Sequence, residues 1–592
     1  MLEPFSRTMA SVRTAALFTS AFVLVTNGGC TKSSSGTAEG SGGSGSGDGS
    51  GGARGDAAAS GGAPGTATGG AGSGGRTGSG GNATGGSASG GSATGGGSTG
   101  GAIGAAGTGG TSASGGSNGN GSGGSGTGSG GKAGGGALAL SGLVITANPN
   151  NTLSCFVSWS TTDAADSEVD FGEGSYQFRI RDAAMVTAHN VLVIGMHAEK
   201  AYQIKAMSSN AQGSGSVEGM FTAGKLPDSV PVPMLTANDL ADMQDGWTLT
   251  NIMPAKSGPA NIVMYDQNGL PVWYFIHGTT PDSRGDVSAD LLPGNTITVG
   301  PTSGEPAKEI DLSGKVLWTG PSYTNQMLMS HFVAKTAGGN YLLNIELDKA
   351  VTSGTQKIDD QIIEEISPDL KVVWSWKLFD HIKVAGTREE VCHGNFMQVD
   401  EPGGFVYYNC RYLGLFKIDR ASGDILWRLG GTYDKTTEGP GDFTYSPAAG
   451  QFSDAHDPEL HDDGTILMYD NGGFSGLGAT GGGMMTTYHS RVVEYQVDQT
   501  AKTATLTWEF PGSFNVDAWY KNTWYSPYWG DADRLPNGNI LVTAGLKSAS
   551  GSTRIFEVSR AGKVVWEITL PVNNGSFRAQ RLSPPPLVEP IN

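Results

Sequence analysis

Three of the nine histidines in this chain stand at similar positions ahead of glycine turns. They are His331, His393 and His456, which lie eight, eleven and eight residues before the glycine of the turn that follows each. Near neutral pH an imidazole can act as a nucleophile, a proton donor or a metal ligand. Because burying several imidazoles together is costly without a shared task, their repeated position predicts one functional cluster.

An amide and a guanidinium accompany the middle histidine. If the hairpin from residue 392 to residue 411 pairs with its turn near Glu401, then His393, Asn395 and Arg411 share one face of it. These side chains offer hydrogen-bond donors, and the guanidinium adds a fixed charge, so the group suits a tetrahedral oxyanion. The alternative is that Arg411 only pairs with an acid of a neighbouring strand.

The same hairpin carries two of the four cysteines. A turn centred near Glu401 sets Cys392 opposite Cys410, which predicts a disulfide between them. A slip of one residue would break this pairing, so the prediction depends on the register.

Two repeated signals predict the elements that position these residues. A glycine turn that opens an apolar strand alternates six times with a tryptophan that closes a strand. The glycine–tryptophan pairs are Gly246 and Trp273, Gly294 and Trp318, Gly339 and Trp374, Gly404 and Trp427, Gly464 and Trp508, and Gly538 and Trp566. Two hairpins per unit make four strands, so residues 234–592 are predicted to form a six-bladed β-propeller in an all-β chain. In that fold the first strands line the channel, and the three histidines would meet at its mouth.

Residues 138–225 show short alternating runs such as Leu153 to Trp159. This pattern predicts a small β-sandwich that resembles fibronectin type III domains, with Cys155 packed in its core as a small hydrophobe.

The first 137 residues predict export and no fold. Residues 1–29 combine basic residues with a short apolar run, which is typical of a signal peptide, and Cys30 follows small residues as in a bacterial lipoprotein. Residues 30–137 are a Gly/Ser-rich linker that is predicted to be disordered. The protein is therefore expected to be an exported lipoprotein, periplasmic or at the cell surface, whose only membrane contact is the lipid. An ordinary cleaved signal peptide is the alternative.

At the candidate residues the sequence resembles the bacterial arylsulfotransferases, over about residues 234–582. The resemblance rests on the order and spacing of several blocks, which are Cys392-His393-Gly394-Asn395 with Arg411, Lys417-Ile418-Asp419-Arg420, Ile425 to Gly431, Phe452-Ser453-Asp454-Ala455-His456-Asp457, and Leu535-Pro536-Asn537-Gly538-Asn539. The resemblance implies transfer of a sulfuryl group from a phenolic sulfate to a phenol, without a nucleotide donor or a cofactor. It implies that His456 is the nucleophile and that His331 contacts the sulfate and the bridging oxygen. His393, Asn395 and Arg411 would hold the sulfuryl oxygens.

Other functions stay open from the sequence. A non-catalytic propeller that binds carbohydrate or protein at the cell surface predicts the same fold and anchor. A quinone-dependent dehydrogenase would need a calcium-type acidic cluster at the inner strands, and the sequence does not indicate one. Three histidines suit a metal, but Arg411 would repel a cation, so no metal is expected. The net charge of −18, without a basic block, argues against nucleic acid. The inserts 432–451 and 471–488 are expected to overhang the channel mouth and set substrate choice.

Overall fold

The computed structural model describes residues 138–254, 258–278, 287–302, 305–323, 327–353, 356–383, 391–430, 441–472, 490–511, 525–526, 528–545 and 552–591. Within these ranges the regular structure is almost entirely β-strand, which confirms the all-β class. Its helical segments are the short α1 (Leu378–His381) and a 3-10 turn at Ala448–Gly450. No helix in the described ranges has the length and hydrophobicity needed to cross a membrane. The expected signal peptide, Cys30 and the linker lie outside them.

The first described strands form an N-terminal sheet. They are β1 (Leu140–Ala147), β2 (Cys155–Gly172), β3 (Phe178–Val193), β4 (Ala201–Asn210) and β5 (Gly213–Thr222). β3 pairs with β2 along most of its length, while β1 and β4 pair with successive halves of the other edge of β2. Glu589–Pro590, from the end of the chain, pairs with β3.

These strands cover residues 138–225, for which a small β-sandwich is expected. Hydrogen bonds join all these strands into one sheet, because β2 and β3 are long enough to run through both halves. Their inward side chains, including Cys155, Val157 and Trp159, are buried. Cys155 is a free thiol in this core, as expected for a small hydrophobe. The kinship with fibronectin type III domains stays a prediction.

In the described part of the chain, six further sheets follow, numbered 1 to 6 in chain order. After β6 (Met234–Asn238), sheet 1 contains β7 (Trp247–Pro254), β8 (Ala260–Tyr265) and β9 (Pro271–His277). Sheet 2 contains β10 (Ala289–Leu292), β11 (Thr296–Val299), β12 (Lys308–Asp311) and β13 (Val316–Thr319). Sheet 3 contains β14 (Met327–Lys335), β15 (Tyr341–Ser353), β16 (Gln356–Ile366) and β17 (Val372–Lys377).

The later sheets repeat the same antiparallel order. Sheet 4 contains β18 (Gly394–Asp400), β19 (Phe405–Cys410), β20 (Gly414–Asp419) and β21 (Ile425–Leu429). Sheet 5 contains β22 (Thr444–Ser446), β23 (His456–Leu460), β24 (Thr465–Asp470), β25 (Arg491–Asp498) and β26 (Thr503–Phe510). Sheet 6 contains β27 (Asp531–Arg534), β28 (Ile540–Ala544), β29 (Arg554–Val558) and β30 (Val564–Thr569), and the chain ends with β31 (Asn574–Gly575), β32 (Ala579–Leu582) and β33 (Glu589–Pro590).

One tryptophan stands at the same place in the fourth strand of every sheet. These residues are Trp273, Trp318, Trp374, Trp427, Trp508 and Trp566. In each sheet the pairing between the third and fourth strands shifts register directly after the partner of the tryptophan. The shared tryptophan and bulge mark the sheets as copies of one structural unit.

Five of the six tryptophans hydrogen-bond to the next sheet, whereas Trp318 of sheet 2 stacks on Tyr341 of sheet 3, with the ring centroids 3.7 Å apart. The indole of Trp273 in sheet 1 donates to the carbonyl oxygen of Leu312 in sheet 2, at 2.7 Å. The indole of Trp566 in sheet 6 donates to the carbonyl oxygen of Gln267 in sheet 1, at 2.8 Å. The sixth sheet is thus bonded back to the first, as a ring of sheets requires.

Strands from both ends of the sheet region complete sheets 1 and 6. β6 pairs with β30 at the outer edge of sheet 6, whereas β32 pairs with β7 and supplies the first strand of sheet 1. The hairpin expected at Gly246 is therefore wrong: the strand paired before β7 comes from the end of the chain, with Leu582 opposite Trp247. Gly246 is needed because a Cβ atom there would lie 2.1 Å from the carbonyl oxygen of Leu582.

The first strands, called the inner strands below, lie beside one another. β14 contacts β18, β18 contacts β23, and β23 contacts β27. Residues at the start of these strands therefore meet in space although they are about 60 to 75 positions apart in the sequence.

One of the two inserts is partly described. Within the insert at 432–451, Thr444–Ser446 forms β22, which pairs in parallel with β26 at the outer edge of sheet 5. This part extends the sheet outward and does not overhang the inner strands, which corrects the expectation for it. Residues 473–488 of the second insert lie outside the described ranges.

Candidate functional site

His456 begins inner strand β23, and its imidazole is buried, with 1% of the residue exposed. Its Nδ1 lies 2.7 Å from Oδ1 of Asn471, which directly follows β24. The Nδ2 of Asn471 donates to the carbonyl oxygens of Ser526 and Trp529, both at 2.8 Å, which fixes the orientation of the amide. Since an amide oxygen can only accept, His456 carries its hydrogen on Nδ1 and keeps the lone pair on Nε2.

The surroundings of His456 favour its neutral form. Burial lowers the pKa of His456 well below its ordinary value, and the Arg411 guanidinium lowers it further. The bond to Asn471 acts in the other direction, while His393 and His331 contribute to the lowering. A neutral imidazole with a free Nε2 lone pair is a competent nucleophile at neutral pH.

His331 and His393 share an unusual backbone conformation. Their φ angles are 65° and 54°, in the left-handed region that non-glycine residues rarely adopt. His331 lies where the pairing of β14 shifts register, and His393 directly precedes β18. Their ring centroids are 4.8 Å apart, with the planes at 84°. Strained residues of this kind are common at functional sites, and here the strain turns two imidazoles toward each other.

Asn395 bonds to the backbone that enters β23. Its Nδ2 donates to the carbonyl oxygen of Ala455 at 3.0 Å, and its Oδ1 accepts from Nδ2 of Asn409 at 2.7 Å. Asn409 donates to the same carbonyl oxygen at 2.9 Å. The two amides therefore hold the residue before His456, and one further N–H of Asn395 remains for a ligand.

Arg411 is nearly buried, with 4% exposed, and lies between aromatic rings. Its guanidinium carbon is 5.3 Å from the ring centroids of both Tyr412 and Tyr528. Its backbone N–H donates to the carbonyl oxygen of His393 at 3.1 Å, which places the two residues level on the hairpin. The histidine cluster, defined as His331, His393 and His456 with Arg411, thus joins inner strands of sheets 3, 4 and 5.

The structure joins Cys392 and Cys410 in a disulfide, with the Cα atoms 4.6 Å apart. The register behind that prediction is nevertheless wrong, because Gly394 is the partner of Cys410. The ladder then skips Asn395 in a bulge, so strict alternation does not set its face. The turn lies farther along the chain than Glu401, and the left-handed φ of His393 turns the chain before the first pair.

Phe577, which the sequence did not indicate, packs against two of the histidines. Its ring centroid lies 5.3 Å from that of His331 and 6.0 Å from that of His456. Phe577 belongs to the segment between β31 and β32, whose return to sheet 1 has no repeat signal. Asn471 was missed because only the fold brings it to Nδ1 of His456.

A second cluster lies beside the first, contrary to the sequence expectation that the inner strands carry no acidic cluster. One carboxylate oxygen from each of Asp457, Asp531 and Asp533 lies within 4.8 Å of the other two. Asp457 belongs to β23 and the other two to β27, so 74 or more positions separate them in the sequence. Their proximity follows only from the contact between the two strands.

The sequence that forms these sheets matches one protein family. The model of the arylsulfotransferase (ASST) family matches residues 235–578, more than half of the chain. The chain belongs to the arylsulfotransferase family. The matched span of this arylsulfotransferase-family protein includes the whole histidine cluster and Asn395. A comparison with curated proteins finds no match.

Solved structures similar to this arylsulfotransferase-family chain include two propeller-type proteins. The β-propeller domain of Cps50 (Swd1) from Myceliophteria thermophila is 11% identical, with a TM-score of 0.30, covering 60% of this chain and 88% of that one. BamB from Moraxella catarrhalis is 11% identical, with a TM-score of 0.26, covering 64% and 94% respectively. Both scores are below 0.5, so the description of the sheets rests on their own hydrogen bonds.

Proposed function

We propose that this protein transfers a sulfuryl group from a phenolic sulfate ester to a phenol through a sulfated His456, without a nucleotide donor. Membership of the family supports sulfuryl transfer between phenols. The observation that carries the covalent route is the bond from Nδ1 of His456 to Asn471, because it leaves Nε2 as the nucleophilic nitrogen.

In the first half-reaction Nε2 of His456 attacks sulfur. The nitrogen–sulfur bond forms, the bond from sulfur to the phenolic oxygen breaks, and the electron pair of that bond leaves with the oxygen. Protonated His331 donates its proton to this oxygen, so the products are a neutral phenol and sulfohistidine. The ring of His456 keeps its hydrogen on Nδ1. This N–H donates a hydrogen bond to Oδ1 of Asn471, and the amide oxygen stabilises the positive charge of the sulfated ring.

In the second half-reaction the acceptor phenol gives its proton to His331, and its oxygen attacks sulfur. The nitrogen–sulfur bond breaks, and its electron pair returns to Nε2 of His456. Each group then has its starting protonation state, so two displacements replace one.

Charge and hydrogen bonds support the sulfuryl oxygens in this proposal. Arg411 supplies a cation whose two donors can bind two oxygens, and His393 adds a ring N–H. Asn395 adds its remaining N–H and also holds the backbone before His456. Donors that are fixed before the reaction stabilise the charge of the transition state without reorganisation.

The rings around the cluster suit an aromatic substrate. Phe577 contacts both His331 and His456, and Tyr412 and Tyr528 border Arg411. We propose that these rings face the phenyl groups of donor and acceptor, both small molecules.

We also propose how the six sheets are arranged and where in the cell the protein acts. The six sheets, linked in sequence by tryptophan contacts that are hydrogen bonds at every step except the stacking of Trp318 on Tyr341, are proposed to be the blades of one closed propeller. Residues 1–29 are proposed to direct export, with Cys30 lipidated and residues 30–137 serving as a tether. A chain exported in this way would meet phenolic sulfates outside the cytoplasm and would contact the membrane only through the lipid.

The experiment is a burst assay with a chromogenic aryl sulfate. Without acceptor, one phenol per enzyme should be released rapidly, and intact-protein mass spectrometry should find one added sulfuryl group, mapped to His456. An added phenol should discharge the intermediate with ping-pong kinetics. If neither turnover nor a sulfated protein is detected, the proposal fails, and a non-catalytic propeller that binds carbohydrate or protein becomes the better explanation.

A further inference from the structure

Three carboxylates converge from two neighbouring inner strands, next to the histidine cluster. Asp457 follows His456 in β23, while Asp531 and Asp533 lie two residues apart in β27, so they point to the same side of that strand. One oxygen of each lies within 4.8 Å of the other two. This separation is the one expected for oxygens that share a single metal ion.

The charges around these carboxylates do not balance. Asp290 and Glu459 also face the group, and Arg578 is the cation at its centre. The guanidinium of Arg578 lies 3.2 Å from Asp290 and 3.3 Å from Asp457. Five carboxylates against one guanidinium would leave a formal charge of −4 if every acid were ionised.

Arg534 does not correct this imbalance. Its guanidinium contacts Asp463 and Glu494 on the outward part of sheet 5. Its backbone N–H donates to Glu459 at 3.3 Å, and its charge, which those two acids already pair, makes only a small contribution to lowering the pKa of Glu459.

Asp531 provides a second and independent observation. It is 1% exposed, and its Oδ2 accepts from the backbone N–H of Ala579 at 3.0 Å. Its Oδ1 is buried and faces no hydrogen-bond donor among the described residues. Oδ2 of Asp457 also accepts no hydrogen bond from the described residues, although it forms an ion pair with the Arg578 guanidinium at 3.3 Å. A buried carboxylate oxygen without a donor is costly, so this geometry calls for a positive ligand.

We propose that Asp457, Asp531 and Asp533 bind one divalent cation, calcium, between the inner strands of sheets 5 and 6. All the ligand atoms are carboxylate oxygens, which calcium prefers, and the group contains no imidazole or thiolate that would select zinc. The ion would tie β23 to β27 and balance the charge that Arg578 leaves. It would also hold the strand that begins with His456.

A shared proton is the competing explanation. Asp457 lies within hydrogen-bonding reach of Asp531, and burial raises the pKa of Asp531 and Asp533. A protonated pair would relieve the repulsion without a metal. The two explanations differ in their response to calcium at a pH where the acids ionise.

The test uses the full protein stripped with a chelator and then dialysed at neutral pH. Isothermal titration with calcium chloride should give one ion per chain. At a hundredfold excess over the dissociation constant, the melting temperature should rise by about 3 °C. Magnesium should bind more weakly, because it requires a regular octahedron of ligands.

Asp531→Asn separates ion binding from folding. Because this change removes one buried charge, the stripped variant should melt no lower than the stripped wild type, yet it should gain nothing from calcium. Asp462→Asn, at an exposed position in the turn after β23, should keep the whole response. Absence of stoichiometric calcium binding to the wild type, or an equal calcium response in Asp531→Asn, would overturn the proposal in favour of the shared proton.

Discussion

His456 and Asp457 are adjacent in the chain but belong to opposite electrostatic surroundings. The histidine cluster contains a guanidinium and imidazoles, and the partner of His456 Nδ1 is a neutral amide. Asp457 follows His456 in β23, and its carboxylate meets those of Asp531 and Asp533 from the neighbouring strand β27. The two proposals thus place an anion beside a cation on neighbouring inner strands, although the formal net charge of the chain is −18. Net charge therefore says little about which ligand a buried site accepts.

The largest effect is expected from replacing His456, the proposed nucleophile. His456→Ala should abolish both sulfuryl transfer and protein sulfation, because it removes the Nε2 that the proposed mechanism uses as the nucleophile. Turnover of an aryl sulfate and the intact mass of the protein measure both effects. The melting temperature should change little, and full turnover by a folded variant would refute the assignment.

The cation of the histidine cluster should have the next largest effect. Arg411→Ala should slow sulfuryl transfer about 10²- to 10³-fold, the range for loss of one transition-state donor. Arg411→Lys should recover only part of the rate, since it keeps the charge but loses the fork. Equal rates for Arg411→Ala and the wild type would mean that the guanidinium serves only to pack between Tyr412 and Tyr528.

The disulfide between Cys392 and Cys410 should stabilise the hairpin that carries His393 and Arg411. It closes a loop of 18 residues, so replacing both Cys392 and Cys410 by serine should lower the free energy of unfolding by about 3 kcal/mol. Denaturant unfolding measures this change, and Cys155→Ala, which keeps a small apolar side chain in the core, is the single-thiol control. Non-reducing mass spectrometry of exported protein should find the pair oxidised, and two free thiols would contradict this prediction.

Asn471 should have a smaller effect. In the proposed mechanism it is the neutral partner that keeps His456 nucleophilic. Asn471→Ala should reduce kcat/KM about 5- to 150-fold, which corresponds to the roughly 1–3 kcal/mol lost when a buried polar group loses its partner. Asn471→Asp should raise the pKa of His456, because a carboxylate stabilises the imidazolium. The acid limb of the pH profile of kcat/KM should then move to higher pH. A profile identical to that of the wild type would assign Asn471 a purely structural role.

The smallest effect is expected at the carboxylate cluster, and it should appear only when no metal is bound. Burial raises the pKa of Glu459 to about 7, with Asp457 contributing and Arg578 and Arg534 opposing. Since the folded state holds this proton more tightly, stability is full at low pH and is lost as pH rises through about 7. Melting temperatures in chelator should therefore fall between about pH 4.5 and pH 7, and Glu459→Gln should flatten this slope. A flat profile in the wild type would show that the acid is paired in another way.

Repetition made much of the fold predictable from the sequence. The glycine turns and six tryptophans predicted four-stranded units, because each copy solves the same packing problem with the same residues. The exceptions occur where a unit departs from the repeat. Gly246 was misread because the strand before β7 comes from the end of the chain, and one bulge at Asn395 changed the register of its hairpin.

The site was predictable only in part, for a similar reason. His331, His393 and His456 occupy repeated positions, so their proximity could be expected from the pattern. Asn471 and Phe577 reach the same place from loops that no repeat governs. The acidic cluster depends on the contact between β23 and β27, which alternation along one strand cannot reveal.

The return of the chain end to sheet 1 has a consequence for the order of events during synthesis. Trp247 pairs with Leu582, so sheet 1 lacks its first strand until residues 579–582 have left the ribosome. Phe577 arrives in the same last segment and only then reaches His331 and His456. In a nascent or truncated chain, His331 and His456 would therefore lack the packing contact with Phe577. The sulfuryl transfer proposed for His456 would therefore have to wait until the segment that carries Phe577 has been synthesised and packed.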